Sequence, residues 1–194
     1  MHYLILPHFL SDLECDELIT ISNFRGMSAS AGFDVASGTN LVNDYRTSTN
    51  VFLPRQSNVV IANVEQRIAD MTGYPWVNGE DLQVVKYMQG QYYKPHHDYH
   101  HPGYEGTRMV LQRGGQRIIT VIMYLNTLGE DDGGATYFPR CNVVVRPEKG
   151  KAIVFWNVMP DDRLDESTYH EGLAPKNGKE KWICTKWIHG QTFY

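Results

Sequence analysis

The sequence predicts a mostly β protein with flanking helices (α+β). Its core would be a jelly roll, the double-stranded β-helix, with N-terminal helices packed on one sheet. Short apolar segments recur over about 80–190, each bounded by Gly, Pro, Asn or Asp turns, which is typical of sandwiches and jelly rolls. Both stretches with helical periodicity precede residue 75, and no linker or repeat interrupts the chain. We therefore expect one domain over 1–194, with helical support over about 1–75.

The first elements are a short strand and a helix. Residues 5–9 have strand character. Ser11 and Glu14 have the spacing of a capping box, in which each side chain bonds the other residue's backbone N–H. We expect the helix to run to about Asn23.

A long segment separates this helix from a second one. Residues 26–43 are rich in Gly, Ser, Ala and Asn and are predicted to form a long loop, a feature that is often functional. Residues 45–53 then favour a strand. Ser57 is the predicted cap of the second helix, and Gly73 is its predicted end.

The rest of the chain is predicted to be β-rich. The expected strands are 82–87, 117–126, 135–138, 142–146, 152–156 and 182–189.

Composition narrows the class of protein. Hydrophobic residues make up 42% of the chain and aromatic residues 12%, as in water-soluble globular proteins. A net charge of −4 disfavours nonspecific binding to nucleic acids or to anionic membranes. The three widely spaced cysteines fit a reducing compartment. Because neither a signal peptide nor a membrane-length apolar run is visible, we expect a cytoplasmic location.

The most distinctive stretch is 92–101, which holds four of the eight histidines. In an extended segment, His96 and Asp98 would point to the same face, so they could be neighbouring metal ligands. A second histidine from elsewhere would complete a two-His-one-carboxylate triad, which holds Fe(II) and leaves other coordination positions open. A polar loop with surface histidines is the alternative. Outside the cluster, His170 and His189 follow Asp98 in the sequence.

The last predicted strand carries two lysines on opposite faces. Strand alternation places Lys181 with Ile183, Thr185, Trp187 and His189, whereas Lys186 lies on the other face. A lysine that points into the core needs an anionic partner, which a dicarboxylate would supply. The alternative is a lysine that extends its ammonium group to water.

Several motifs follow one another in order between Leu82 and His189. They are Gly90-Gln91-Tyr92-Tyr93-Lys94-Pro95-His96-His97-Asp98-Tyr99, Gly115-Gln116-Arg117, Tyr124-Leu125-Asn126, Gly133-Gly134-Ala135-Thr136, Pro147 to Ala152, Trp156, His170 and Lys181-Trp182 followed by Lys186-Trp187. This series resembles the prolyl 4-hydroxylase family of Fe(II)- and 2-oxoglutarate-dependent dioxygenases. The stretch between His170 and Lys181 looks one residue longer than is common in relatives.

The resemblance implies a role for each site residue. His96, Asp98 and His170 would bind iron, and His97 would not. Lys181 would pair with the distal carboxylate of 2-oxoglutarate. The remaining co-substrate residues would be Tyr87, Thr136 and Trp187.

A proline-containing peptide or protein would bind beside the iron. The candidates for substrate contact are Tyr93, Arg117, Glu80, His189, Trp156 and Arg46, with the 26–43 loop as a lid. Arg117 and Glu80 could instead simply pair with each other. Ile119, Val121, Met123 and Phe155 are expected to shield the site from water.

The resemblance thus predicts hydroxylation of peptidyl proline at C4, with Fe(II), 2-oxoglutarate and O₂, and with ascorbate as a reductant. The same chemistry on a free amino acid, a lysyl side chain or a small metabolite is an alternative. A non-catalytic β-sandwich that binds metal or carbohydrate is another. The sequence leaves open whether the protein is a monomer or a homodimer.

Overall fold

We describe the protein from a computed structural model that covers residues 1–34, 39–41, 44–103 and 105–194. The strands, in chain order, are β1 (Tyr3–Leu6), β2 (Ser28–Ala29), β3 (Gly32–Asp34), β4 (Thr39–Leu41), β5 (Thr49–Leu53), β6 (Leu82–Tyr87), β7 (Tyr93–His96), β8 (Arg117–Tyr124), β9 (Thr136–Phe138), β10 (Val143–Val145), β11 (Ala152–Trp156), β12 (His170–Gly172) and β13 (Lys181–His189). The helices are α1 (Asp12–Arg25), α2 (Val59–Thr72) and α3 (Glu105–Leu111).

Helix α1 begins as the sequence predicts. The Ser11 hydroxyl accepts a hydrogen bond from the Glu14 backbone N–H at 3.2 Å, and the Glu14 carboxylate accepts from the Ser11 N–H at 2.8 Å. Both halves of the capping box are therefore confirmed. The helix ends at Arg25, two residues later than expected.

Helix α2 begins one residue later than the sequence suggested. The N-cap is Asn58, whose side-chain oxygen accepts from the Ile61 N–H at 2.8 Å. Ser57 instead lies in a turn, where its N–H donates to the Pro54 carbonyl. Gly73 ends the helix in the left-handed conformation, as predicted.

The strands form two main sheets and one hairpin among the described residues. The major sheet has seven strands in the order β1-β11-β8-β13-β6-β5-β2, and the minor sheet has the order β10-β9-β12-β7. Strands β3 and β4 pair with each other. This mostly antiparallel two-sheet arrangement is the predicted jelly roll.

Some elements were not predicted. The segment 26–43 contains β2, β3 and β4 rather than a continuous loop, while 35–38 and 42–43, which belong to the predicted lid, lie outside the described residues. The short strands β7 and β12 and the helix α3 were also missed.

The two faces of the major sheet have different partners. One face packs against α1 and α2, and its core includes Ile119, Val121 and Met123. The opposite face carries Ile122, Tyr124 and Phe155 in a second core that includes Phe138 of the minor sheet. The shielding role predicted for Ile119, Val121 and Met123 is therefore wrong, because alternation along β8 turns them towards the helices.

Within the described ranges, no helix combines the length and the apolar character needed to cross a membrane.

Candidate metal and co-substrate site

Two neighbouring strands of the minor sheet bring three potential metal ligands together. His96 ends β7 and is paired in register with His170, which begins β12. Asp98 follows two residues after His96. The Asp98 carboxylate oxygens lie 3.6 Å from His96 Nε2 and 3.8 Å from His170 Nε2. One ligand atom from each residue lies within 4.8 Å of the others.

Backbone contacts set the tautomers of both histidines. Nδ1 of His96 lies 2.8 Å from the Lys94 carbonyl, and Nδ1 of His170 lies 2.8 Å from the Thr168 carbonyl. Because a carbonyl can only accept, each Nδ1 must carry the proton. Each Nε2 is then left with a lone pair that faces Asp98, as metal-binding imidazoles require.

The charges of the three side chains suit a divalent cation. Burial alone would raise the pKa of Asp98, but His170, His96 and Arg117 hold it well below its usual range, so the carboxylate is anionic. Burial, together with the nearby His96, lowers the pKa of His170 to about 4. Two imidazoles and one carboxylate are the donor set of the facial triad that binds Fe(II). The residues therefore fit this metal.

Aromatic rings hold both imidazoles in place. Tyr93 stacks on His96 with ring centroids 3.6 Å apart. His170 lies between Phe138 and Phe155, with 5.2 Å from its ring centroid to each. Phe155 thus lies against the site, as expected, and the ligands are fixed before any metal binds.

A buried lysine lies at another part of the same cavity. Lys181 is 1% exposed, and its Nζ is 4.3 Å from the centre of the Tyr87 ring. Burial lowers the pKa of Lys181 to about 7, and no carboxylate among the described residues offsets this effect. The lysine therefore lacks the anionic partner that a buried ammonium requires. A carboxylate of a bound ligand would supply that partner.

Two hydroxyl-bearing side chains, Tyr87 and Thr136, and one glycine, Gly172, line the cavity together with Lys181. The Thr136 hydroxyl is fixed by the hydroxyl of Tyr124, which donates to it at 2.8 Å. Gly172 places no side chain against Lys181, since a Cβ atom there would be in van der Waals contact, 3.5 Å from both Lys181 Nζ and the Tyr87 hydroxyl. The region can thus accept a small anion with several hydrogen-bond acceptors.

One cavity connects this lysine to the three metal ligands. It is lined by Arg46, Tyr87, Tyr93, His96, Asp98, Ile122, Thr136, His170, Gly172, Lys181, Ile183, Thr185 and Trp187. Ile122, Gly172, Ile183 and Thr185 were not among the predicted site residues. Ile183 and Thr185 share the alternation of Lys181 along β13, so strand parity could have identified them.

The predicted substrate residues Arg117, Glu80 and His189 form a network beside the cavity. Arg117 donates to the two Glu80 carboxylate oxygens at 2.5 and 3.0 Å. His189 Nε2 lies 2.9 Å from Glu80, and its Nδ1 lies 2.9 Å from the Gly115 carbonyl. Arg117 and Glu80 do pair, as the alternative interpretation held. The Arg117 guanidinium also lies 4.1 Å above the Trp187 ring.

Two predictions of substrate contact need correction. His189 is 0% exposed, and both ring nitrogens have partners inside the protein, so it supports Glu80 rather than lining the cavity. Trp156 stacks on His2 at 4.2 Å and packs with the core on the helix side of the major sheet. Trp156 therefore points to the helix side of the sheet, whereas Phe155, its neighbour along β11, points to the side of the cavity.

His97 and Arg46 lie as the sequence analysis expected. His97 stacks on Tyr99 and lies near Tyr169, away from the three ligands. Arg46 lines the cavity, with its guanidinium 4.7 Å from the centre of the Tyr93 ring.

Comparison with known proteins agrees with this geometry. Residues 82–189 match the family model of the 2OG-Fe(II) oxygenase superfamily. Probable prolyl 4-hydroxylase 8 of Arabidopsis thaliana is 37% identical over 204 residues, covering 95% of this chain and 67% of the relative. Prolyl 4-hydroxylase 5 of the same plant is also 37% identical, covering 97% of this chain and 68% of the relative.

The chain belongs to the prolyl 4-hydroxylase family of 2OG-Fe(II) oxygenases. Among solved structures, the 2OG complex of the viral collagen prolyl hydroxylase vCPH from Paramecium Bursaria Chlorella virus-1 is similar. It has a TM-score of 0.76 at 29% identity, covering 97% of this chain and 96% of the viral one. The predicted family and fold are thereby confirmed. The chain is an oxygenase of the class that uses Fe(II), 2-oxoglutarate and O₂.

Proposed function

We propose that this protein hydroxylates peptidyl proline at C4, in an Fe(II)- and 2-oxoglutarate-dependent reaction that also yields succinate and CO₂. The observation that carries the proposal is one cavity that brings two chemically different groups together. It is lined by His96, Asp98 and His170 and also by Lys181, which has no anionic partner among the described residues. A redox metal beside a buried cationic anchor suits a co-substrate that must bind the metal and carry a remote carboxylate.

The three ligands would hold iron through His96 Nε2, His170 Nε2 and an oxygen of Asp98. Bound Fe(II) would supply the activation of O₂, coupled to decarboxylation of 2-oxoglutarate, that oxygenases of this class use. The role of the chain is to fix the ligands. The hydrogen bonds of both Nδ1 atoms to backbone carbonyls keep the metal-binding nitrogens deprotonated and correctly aimed.

Lys181 would orient 2-oxoglutarate by pairing with its distal carboxylate. The Tyr87 hydroxyl and the Thr136 hydroxyl, which already accepts from Tyr124, are the proposed hydrogen-bonding partners. Such an anchor fixes the far end of the co-substrate, so that its other end reaches the iron in one orientation.

The proline-containing chain would bind on the side of Tyr93, Arg46, Trp187 and Arg117. Tyr93 offers an aromatic surface that lines the cavity. Trp187, which the sequence predicts as a co-substrate residue, lines the same cavity and is proposed to contact the peptide as well. The Nε1 atom of Trp187 is buried and has no hydrogen-bond partner in the described part of the chain, so it is a donor that a peptide carbonyl could satisfy. Arg117, fixed by Glu80, is a second donor, with 19% of its side chain exposed.

The names of the relatives support proline as the target. The plant proteins are called prolyl 4-hydroxylases, and the viral structure is described as a collagen prolyl hydroxylase. The chain spans about two thirds of the length of these plant relatives. We propose that ascorbate serves as the reductant that returns the iron to Fe(II) after turnovers without substrate.

The test is an assay of succinate and of hydroxylated peptide with purified protein, Fe(II), 2-oxoglutarate and proline-rich peptides. We expect peptide to stimulate succinate formation, and ascorbate to sustain it. Succinate formation that no peptide stimulates would reject proline as the target and point to another substrate. Absence of any succinate would reject the enzymatic function.

A further inference from the structure

Lys186, the second lysine of β13, lies on the helix side of the major sheet, away from the cavity. It is 1% exposed, and its Nζ contacts both the Glu65 carboxylate of α2 and the backbone carbonyl of Glu80. Glu65 is itself 1% exposed and also accepts from the backbone and side chain of Gln56, at 2.9 and 2.8 Å. The ion pair is thus buried, with two hydrogen bonds donated by Lys186 and three accepted by Glu65 among the described residues, and such bonds offset the cost of burying the charges.

The Lys186 contact completes the fixation of Glu80. The Glu80 N–H donates to the Trp187 carbonyl at 2.9 Å, and the Glu80 carbonyl accepts from Lys186. Both backbone polar groups of Glu80 are therefore held by consecutive residues of β13. With its backbone fixed on both sides, the carboxylate of Glu80 has a defined position from which to accept from Arg117.

The residue before Glu80 is Gly79, and its lack of a side chain leaves room for the contact between Lys186 and the Glu80 carbonyl. A Cβ atom on residue 79 would lie 2.2 Å from Lys186 Cε and 2.9 Å from Lys186 Nζ, a separation that atoms do not adopt. Gly79 thus lets the lysine side chain pass and reach the Glu80 carbonyl. The backbone conformation of Gly79 does not require a glycine, so the space for Lys186 is what the missing side chain provides.

We propose that Lys186, held by Glu65, is a positioning residue for the substrate side of the site. It acts through Glu80 on Arg117, whose guanidinium lies over the Trp187 ring and whose NH1 is 3.4 Å from the Asp98 carbonyl. The inference rests on the proposed function, because Arg117 and Trp187 are assigned there to the peptide. Lys186 makes no contact with Lys181, so the co-substrate end should be independent of it.

The test replaces both charges at once, since removing one would leave the other buried and unpaired. In the variant Lys186→Met/Glu65→Leu, we expect the KM for peptide to rise and kcat/KM for peptide to fall by roughly 10- to 100-fold. Misplacing a substrate-contacting group such as Arg117 by about 1 Å can reduce the reaction rate by up to about 100-fold. The affinity for 2-oxoglutarate, measured by calorimetry on the Zn(II)-loaded protein, should stay within about twofold. Gly79→Ala, which displaces the Lys186 side chain without removing a charge, should act in the same direction.

The matched control is Lys149→Met/Asp16→Leu, which removes an ion pair between α1 and the turn before β11. This control variant should change neither the KM for peptide nor the affinity for 2-oxoglutarate. An unchanged peptide KM in the Lys186 variant would overturn the inference, as would equal losses for peptide and 2-oxoglutarate, which would indicate a purely structural role.

A second measurement does not depend on turnover. The Arg117 Nε–H resonance in a ¹H–¹⁵N spectrum should be shifted by its bond to Glu80 in the parent protein, and should move towards the free arginine position in Lys186→Met/Glu65→Leu. If the parent protein fails to hydroxylate peptides, the proposed function is rejected and this spectrum still tests the positioning. An unmoved resonance would reject the positioning itself.

Discussion

Lys181 and Lys186 lie five residues apart on β13 and point to opposite faces of the major sheet. Lys181 lines the cavity beside Tyr87, whereas Lys186 is paired with Glu65 on the helix side. Of the two, only Lys186 has an anionic partner among the residues that the structure describes. The difference separates a lysine that is held by a partner inside the fold from one that is left to bind a ligand.

The first prediction concerns the co-substrate anchor. Lys181→Met should weaken 2-oxoglutarate binding by roughly 30-fold or more, since truncating one member of a buried charge pair costs about 2–5 kcal/mol. Lys86→Met, on the adjacent strand and paired with Glu180 at the surface, should have little effect. Calorimetry with Zn(II)-loaded protein measures the affinity of each variant for 2-oxoglutarate. Equal losses in the two variants would argue against Lys181 as the anchor.

The second prediction is a pH dependence of stability. Burial lowers the pKa of Lys181 to about 7 from an ordinary value of 10.5. Between these values the unfolded chain binds more protons, so this lysine makes the free energy of unfolding rise with pH, and its contribution is lost as pH falls through about 7. Without 2-oxoglutarate, Lys181→Met should therefore be more stable than the parent protein at pH 7, and the two should converge towards pH 10. Denaturant unfolding at both pH values measures the difference. A less stable Lys181→Met at pH 7 would contradict the prediction.

The third prediction separates ligand histidines from their neighbours. His170→Ala should abolish succinate formation and the increase in Tm that Zn(II) gives the parent protein, because one of three ligands is lost. His97→Ala should retain most of the succinate formation and most of the increase in Tm with Zn(II), since His97 stacks on Tyr99 and is not one of the three metal ligands. The reverse pattern would show that the ligand set is misassigned.

The fourth prediction compares two tryptophans on opposite faces of the major sheet. Trp187→Phe should raise the KM for peptide, because it removes a buried Nε1 donor that has no partner among the residues with a described structure. Trp156→Phe should leave that KM unchanged, since Trp156 stacks on His2 away from the cavity. Steady-state kinetics with one proline-rich peptide suffices. A larger effect from Trp156→Phe would contradict the assignment of faces.

The sequence predicted the features that local patterns determine. Strands β6 and β11 have the expected bounds, and the capping box of α1 is present. Alternation along β13 predicted that Lys181 and Lys186 diverge, and also placed Ile183 and Thr185 beside Lys181.

Other features depend on tertiary contacts. Alternation separates the two faces of β8 and β11 but does not say which one meets the helices, so Ile119, Val121, Met123 and Trp156 were assigned to the wrong side. The register shift between Ile188 and His189 breaks the alternation of β13 just where His189 was placed by parity. Strands β7 and β12 are too short for a periodic signal, and it is their pairing that joins His96 to His170.

The central claim is hydroxylation of peptidyl proline coupled to 2-oxoglutarate. The most direct measurement is mass spectrometry of a proline-rich peptide after incubation with the protein, Fe(II), 2-oxoglutarate and ¹⁸O₂, with succinate quantified in the same sample. We predict one labelled oxygen on proline C4 for each succinate formed in excess of a peptide-free sample, and none with His170→Ala. Succinate without labelled proline, or oxygen that comes from water, would contradict the account.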